Sequence, residues 1–317
     1  MKRPNQPTTF ETSRRQGLCT CFLLPSLPMS VPAAKIKVDR SWVGAPESAF
    51  FGNPTVWLFI AASSTLVITS AFHLRGALPA APTVALNAVA IYLMFTVMHD
   101  SMHRTAHRSR FMNATLGRIS AFVLTVTLPL FRAVHYEHHS HTNDPERDPD
   151  LAVARRPRWL LPLWCLGIIV EYRVHFYGRK LWRDKRELAE ALAMDAILVG
   201  VIVGSLATGT FTLLATVWFG PVLIAVVFLA LTFDFLPHYP YDSRARFLDT
   251  RIYPGRLLNA VFLGQNYHLI HHLWTTIPWY RYQRVFRAIR PDLEERGARI
   301  GWSVEPLSSA DRHAGPA

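Results

Sequence analysis

Four stretches of this chain are apolar over the length needed to cross a bilayer, where about 20 such residues in a helix are required and no backbone hydrogen bond can be left to water. They run from Pro54 to Leu74, Pro82 to Met98, Ala191 to Ala207 and Phe211 to Phe235. The links Arg75 to Ala81 and Thr208 to Thr210 are short, so the stretches pair into two hairpins, each returning to the side it left. Of 34 Lys and Arg residues only Arg75 lies in a hairpin tip. The positive-inside rule then places all other basic segments on the cytoplasmic face of a cytoplasmic (inner) membrane.

Two further apolar stretches read differently. Ile119 to Phe131 is too short to span and contains Pro129, which predicts a buried or re-entrant helix. Trp159 to Val170, interrupted by Pro162 and followed by the basic run Arg173 to Arg186, predicts an interfacial segment. Asp195 reads as a snorkelling anchor. The expected fold is an all-α integral membrane protein of four transmembrane helices in two hairpins, carrying a cytoplasmic cap. Its domain spans 42–290, between a disordered N-terminal tail at 1–41 and a C-terminal tail at 291–317. Within the N-terminal tail, Leu18 to Pro28 resembles a weak signal peptide broken by prolines, and Met29 is an alternative start. Cys19, Cys21 and Cys165 form no disulfide framework.

Chemistry enters with histidine. Three clusters, His99 with His103, His135 with His138 and His139, and His268 with His271 and His272, each follow a long apolar stretch, and His238 ends the fourth span. On a helix, His99 and His103 share a face, as does His135 with His138 or His139. A single such cluster is as readily a set of polar core residues; three with paired spacing point to metal. Neutral imidazole suits iron, zinc, copper and nickel, and so many donors suit two ions with open positions. No HExxH helix is present to support zinc hydrolysis, and iron that activates O2 fits better. Asp100 beside His99 is expected to orient an imidazole, and Asp234, four before His238, to serve the site. His107 and His141 are weaker ligand candidates; His73, His175 and His313 are not expected to ligate.

A net charge of +12 raises nucleic acid as a partner, but the basic residues flank hydrophobic spans. Anionic membrane lipid is the expected counterpart, then an acidic electron-transfer protein.

The clusters together resemble the membrane fatty acid desaturase and hydroxylase superfamily. Within it, HTNDPERDPD at 141–150, TFDFLPHYPY at 232–241 and GQNYHLIHHLWTTIPWYRYQ at 264–283 resemble beta-carotene hydroxylases of the cyanobacterial type. The resemblance implies a diiron site on His99, His103, His135, His138, His139, His238, His268, His271 and His272. It also implies O2-dependent hydroxylation of a beta-ionone ring, converting beta-carotene through cryptoxanthin to zeaxanthin. Relatives in the superfamily often have Asn where Asp234 stands, which leaves that residue's part open. With no HPGG segment and no nucleotide-binding glycine motif, electrons are expected from a ferredoxin and its NAD(P)H-dependent reductase. The alternative is a fatty acyl desaturase or hydroxylase acting on lipid acyl chains. A metal transporter is disfavoured, because its ligands belong at mid-bilayer depth and these lie at one face.

Overall fold

The computed structural model describes residues 36–46 and 51–303. The readings of the N-terminal tail up to residue 35, including the signal-like stretch and Met29, fall outside the described residues, as do Cys19, Cys21 and His313. The described chain is mostly helical, and its helices start where local chemistry supplies caps.

Helix α1 (Pro54–Leu74) begins at Asn53, whose side chain accepts from the amides of Thr55 and Val56, with Pro54 preset for the first turn. Helix α2 (Ala80–Met102) returns alongside it and forms the central column of the molecule, with Ile91, Met94, Val97 and Met98 fully buried. Asn87, in the middle of α2, is satisfied within the span. It meets Thr69 and Ser70 of α1, and its Nδ2 donates to the carbonyl of Val217 at 2.8 Å. That carbonyl lies in a π-helical turn, where the regular ladder is interrupted and a side-chain donor is needed.

The chain leaves α2 through Arg104 at φ +61°, with Thr105 N bonded to Asp100 O. Helices favour glycine here, so an arginine costs about 1 kcal/mol. Helix α3 (Arg110–Val123), capped by Ser109, meets helix α4 (Leu128–Ser140), capped by Thr127, at a bend of 91°. The stretch Ile119 to Phe131, expected as a buried or re-entrant helix, is thus divided between two helices: Pro129 opens α4, and Thr125 at φ +60° turns the chain.

Trp159 to Val170 proves to be more than an interrupted surface segment. Pro162 occupies the first turn of a continuous helix, α5 (Leu161–Gly178), where a missing N–H costs nothing. Helix α6 (Lys185–Ala207) starts earlier than its apolar stretch because Asp184 caps it and Glu187 and Glu190 bind Arg132 and Arg118. Asp195 in α6 is engaged by Arg173 at 2.8 Å and by the Tyr177 hydroxyl at 2.7 Å, so it ties α6 to α5 rather than reaching for water. After a tip at Gly209 (φ +70°), helix α7 (Phe211–His238) runs 28 residues, with π-helical turns at Ala215–Phe219 and Ala230–Phe235. Five helices, α1, α2, α5, α6 and α7, are thus long and apolar enough to cross a membrane. Four coincide with the expected spans, and α5 is the addition.

The remainder closes over the ends of these helices. Strand β1 (Arg251–Ile252) pairs in parallel with β2 (Arg299–Ile300), and between them lie helices α8 (Arg256–Val261), α9 (His268–Leu273) and α10 (Tyr282–Glu295). Helix α10 runs across residue 290, where the sequence reading drew a domain edge, and buries Val285, Phe286, Ile289 and Leu293.

Where α2, α3 and α4 converge, a Cβ on Gly117 would stand 2.7 Å from Ser101 Cβ and 2.9 Å from Leu128 Cδ2. Gly117→Ala should therefore push α3 off α2 beside the first histidine cluster and destabilise the fold by about 1–3 kcal/mol. A lowered midpoint of thermal unfolding in detergent checks this.

Candidate metal centre

Nine imidazoles delivered by four separate segments converge beyond the ends of α2 and α7. His99 and His103, one helical turn apart on α2, join His135 of α4 and His271 of α9, with ligating nitrogens all within 4.8 Å of one another. A second group of the same tightness joins His138 of α4, His238 at the end of α7, and His268 and His272 of α9. His139 stands between the groups, its Nε2 3.0 Å from His135 Nε2 and 2.9 Å from His271 Nε2, its ring 4.4 Å from that of His272. Helices α4 and α9 thus each serve both groups, while α2 serves only the first and α7 only the second. On α4 the partner of His135 is His139, four residues on; His138 points to the other group.

These contacts cannot all be satisfied as hydrogen bonds. His271 Nε2 faces His99 Nε2 at 3.1 Å, His135 Nε2 at 3.4 Å and His139 Nε2 at 2.9 Å. In the second group His272 Nε2 faces His138 Nε2 at 3.3 Å and His268 Nε2 at 3.1 Å. Burial and the neighbouring histidines hold His103, His135, His139, His268, His271 and His272 well below the ordinary imidazole range, which leaves them neutral. A neutral imidazole has one proton to give. His268 directs its Nδ1 to Gln265 Oε1 at 3.0 Å, so its Nε2 presents a lone pair to the group. Among the described residues, the buried Nε2 atoms of His103 and His238 have no hydrogen-bond partner. Nitrogens bound about 2.1 Å from one ion and at right angles to each other lie about 3 Å apart. The donor set and spacing therefore fit two first-row transition-metal ions.

Outer contacts orient the rings. His138 Nδ1 lies 2.8 Å from Asp148 Oδ1 and 3.2 Å from Asp150 Oδ2. These three residues also satisfy the geometry of a separate ion site, while the inward Nε2 of His138 faces the second group. The carboxylates instead hold the outer nitrogen, an arrangement common around metal-bound histidine. Asp148 is itself fixed by the amides of Asn143 at 2.7 Å and Asp150 at 2.9 Å. Burial opposes a charge on His138, yet Asp148 and Asp150 together raise it to about 10. His271 Nδ1 meets the Tyr282 hydroxyl at 3.0 Å. Asp100 lies beside His99 as expected, but at 4.0 Å, beyond hydrogen-bond range. Its other oxygen accepts from Thr55 at 3.2 Å, and Thr55 accepts from Trp279 Nε1 at 3.1 Å, linking α1, α2 and the segment before α10.

Below the histidines lies an aromatic floor. Phe131 stacks on His135 at 5.3 Å and Phe95 on His99 at 6.0 Å, while Phe233 meets Phe95 edge-on at 4.5 Å. Phe95 and Phe131 also line an apolar cavity of about 60 Å³ whose wall includes Asp234. Asp234 belongs to neither histidine group. His107 and His141 also stay outside the groups: His107 Nδ1 accepts from Ser109 N, and His141 Nδ1 meets Glu137 O. The sequence reading assigned no role to Asp148, Asp150, Gln265, Tyr282, Thr55 or Trp279. All but Thr55 lie within the 141–150 and 264–283 stretches that carried the resemblance, which was the available signal.

Residues 76–303 match the fatty acid desaturase family. The chain is 29% identical to a dihydrorhizobitoxine desaturase of Bradyrhizobium elkanii over 58% of its own length and 60% of that protein's. It is 24% identical to an sn-1 oleoyl-lipid 12-desaturase of a Picosynechococcus species, over 68% of the chain and 70% of the relative. A zeaxanthin 4-ketolase of Chlamydomonas reinhardtii is 24% identical over 59% of the chain and 39% of the relative.

His138→Ala and His272→Ala should each abolish stoichiometric metal binding, measured by mass spectrometry of the purified protein, while circular dichroism keeps its helical signal. Asp148→Asn should weaken metal affinity about 10–100-fold. In the metal-free protein His138 holds a proton at neutral pH, and the ion must displace it. Apparent affinity should therefore fall as pH drops from about 8 to about 6, by up to about tenfold per unit for this proton, and Asp148→Asn should flatten that slope. Competition against a chelator reads both effects.

Proposed function

The chain belongs to the fatty acid desaturase family, and we propose that it is an O2-dependent diiron membrane oxidoreductase that desaturates or hydroxylates the acyl chains of membrane lipids. The observation that carries this is the pair of four-histidine groups bridged by His139 above an aromatic floor. Two iron ions bound there supply the capacity to use O2 and two external electrons to break an unactivated C–H bond. The chain supplies everything else. His99, His103, His135 and His271 hold one ion; His138, His238, His268 and His272 hold the other; His139 can serve either. Gln265 and Tyr282, with the Asp148 and Asp150 carboxylates, keep ring orientation and tautomer fixed, so the donors lose little mobility on binding. Phe95, Phe131 and Phe233 exclude water from the lipid side and offer an apolar approach. Asp234 is the one carboxyl on the cavity wall, which supports a role in positioning or in holding a proton near a bound chain.

The topology in this reading has four crossings, α1, α2, α6 and α7, with the centre on the cytoplasmic face. His99 at the end of α2 and His238 at the end of α7 meet in one site, so an even number of crossings separates them. Both ends of α5 keep to that side: Arg158, just before it, lies over the Phe235 ring at 5.0 Å, and Arg179, just after it, approaches Glu137 at 3.5 Å. Helix α5 then lies within the leaflet without crossing. The basic face suits an acidic donor, and a ferredoxin with its NAD(P)H-dependent reductase is the proposed electron source.

Carotenoid ring hydroxylation is the second reading. The 141–150, 232–241 and 264–283 stretches favour it, and so does the likeness to the ketolase; the acyl-lipid desaturases among the relatives, matched over a larger share of both chains, outweigh them.

Expression with a ferredoxin and its reductase in a bacterium that accumulates beta-carotene tests both readings through mass spectrometry of lipids and pigments from the same cells. Newly unsaturated or hydroxylated acyl chains, absent with His272→Ala, are expected. Cryptoxanthin and zeaxanthin with unchanged acyl chains would transfer the protein to the carotenoid reading. Neither product from an iron-loaded protein would sink both.

A further inference from the structure

A cavity of about 740 Å³ opens beside the first histidine group. It shares a wall with the metal centre: Ser101 and Met102 lead directly into His103, and Tyr136, on its rim, has its ring 5.8 Å from that of His103. Eight arginines line it. Two carboxylates answer three of them, Glu187 binding Arg132 and Arg183, and Glu190 binding Arg118. Arg104, Arg108 and Arg110, from the turn that joins α2 to α3, are exposed, and none of them forms an ion pair with a described residue. The excess of cationic charge is therefore concentrated in a recess.

Three features select the ligand. A guanidinium presents a planar fork that matches the oxygens of a phosphate, and an array of them is poorly suited to anything uncharged. Arg104 holds the φ +61° position where α2 ends, a place that favours glycine, so its side chain is kept there against a backbone preference. The rim joins the end of α2, the first turns of α3, one face of α4, the turn before α6 and the segment 40–45, and the flank formed by α3 exposes Phe111, Met112, Ile119 and Phe122. Helix ends beside an exposed apolar flank are where headgroups and acyl chains meet a membrane protein. The volume is that of a small-ligand pocket, about 300–1,000 Å³, rather than of a flat protein-docking face.

We propose that this arginine basin binds the phosphate of an anionic membrane glycerophospholipid, the acyl chains running out over the apolar flank of α3. The binding goes beyond the oxidation chemistry and stands whichever bond is attacked. That the bound lipid is also the substrate rests on the acyl-lipid reading above.

The test is calorimetric titration of the full-length, metal-loaded protein in an uncharged detergent with dihexanoyl-phosphatidylglycerol, dihexanoyl-phosphatidylcholine and inorganic phosphate. The anionic lipid is expected to bind at least about tenfold more tightly than either of the others. Arg104→Gly, which relieves the backbone, and the independent pair Arg108→Gln with Arg110→Gln should each weaken it about tenfold while metal content and helicity stay unchanged. Equal affinity for phosphatidylcholine, or undiminished affinity in both variants, would overturn the proposal. Inorganic phosphate binding as tightly as the lipid would assign the basin to free phosphate and reject the headgroup. Should the variants lose binding of an acidic ferredoxin yet keep that of the lipid, the arginines serve a protein partner and the lipid site falls. Calorimetry reads no turnover, so failure of the oxidation reading leaves this result interpretable.

Discussion

Nine clustered imidazoles, seven of them buried and His139 and His272 half-buried, are unstable company without a cation between them. At separations near 3 Å, neutral rings with one proton each cannot convert every contact into a hydrogen bond, and burial denies them water. A cation bound between the rings would resolve this conflict, and the surrounding structure holds the rings in the arrangement that would receive it. Asp148 is pinned by two backbone amides before it touches His138. Gln265 is fully buried, and Tyr282 is almost fully buried at the start of α10. The apparent frustration of the site is the signature of its preorganisation.

The membrane architecture follows from bringing these donors together. α2 and α7 end beside one another at the histidines, and α4 reaches the same place through the 91° bend between α3 and α4. Two polar groups inside the spans are held by partners within the protein. Asn87 completes the carbonyl of a π-helical turn, and Asp195 is held by Arg173 and Tyr177. The phenylalanine floor then separates the polar donors from hydrocarbon, so that one apolar cavity and one cationic basin flank the same centre.

Much of this was legible in residue order. Apolar length identified four helices, and the spacing of His99 with His103 put two donors on one face, as found. Periodicity could not say whether His135 would join His138 or His139, because residues three and four apart are both near neighbours on a helix. Structural context assigned His139 to the contact and His138 to the other group. Asp148 and Asp150 looked like ordinary loop acids, since what distinguishes them is a contact to His138 that exists only once the loop folds back. Pro162 misled about α5 because a proline breaks a helix interior but suits its first turn, and local sequence does not mark which of these applies.

The sequence by itself pointed to the solvent and the chemistry: apolar runs of about 20 residues are long enough to cross a membrane, and histidines at helical spacing put donors on shared faces. It also determined family membership, through residues spread over 76–303. Tertiary structure alone decided how the histidines divide between two groups, which carboxylates hold His138, and that eight arginines scattered from residue 40 to residue 281 share one recess. The physical reason is range. Backbone hydrogen bonding and side-chain periodicity act over a few residues, whereas imidazole lone pairs and guanidinium charges act across contacts that join residues more than a hundred positions apart.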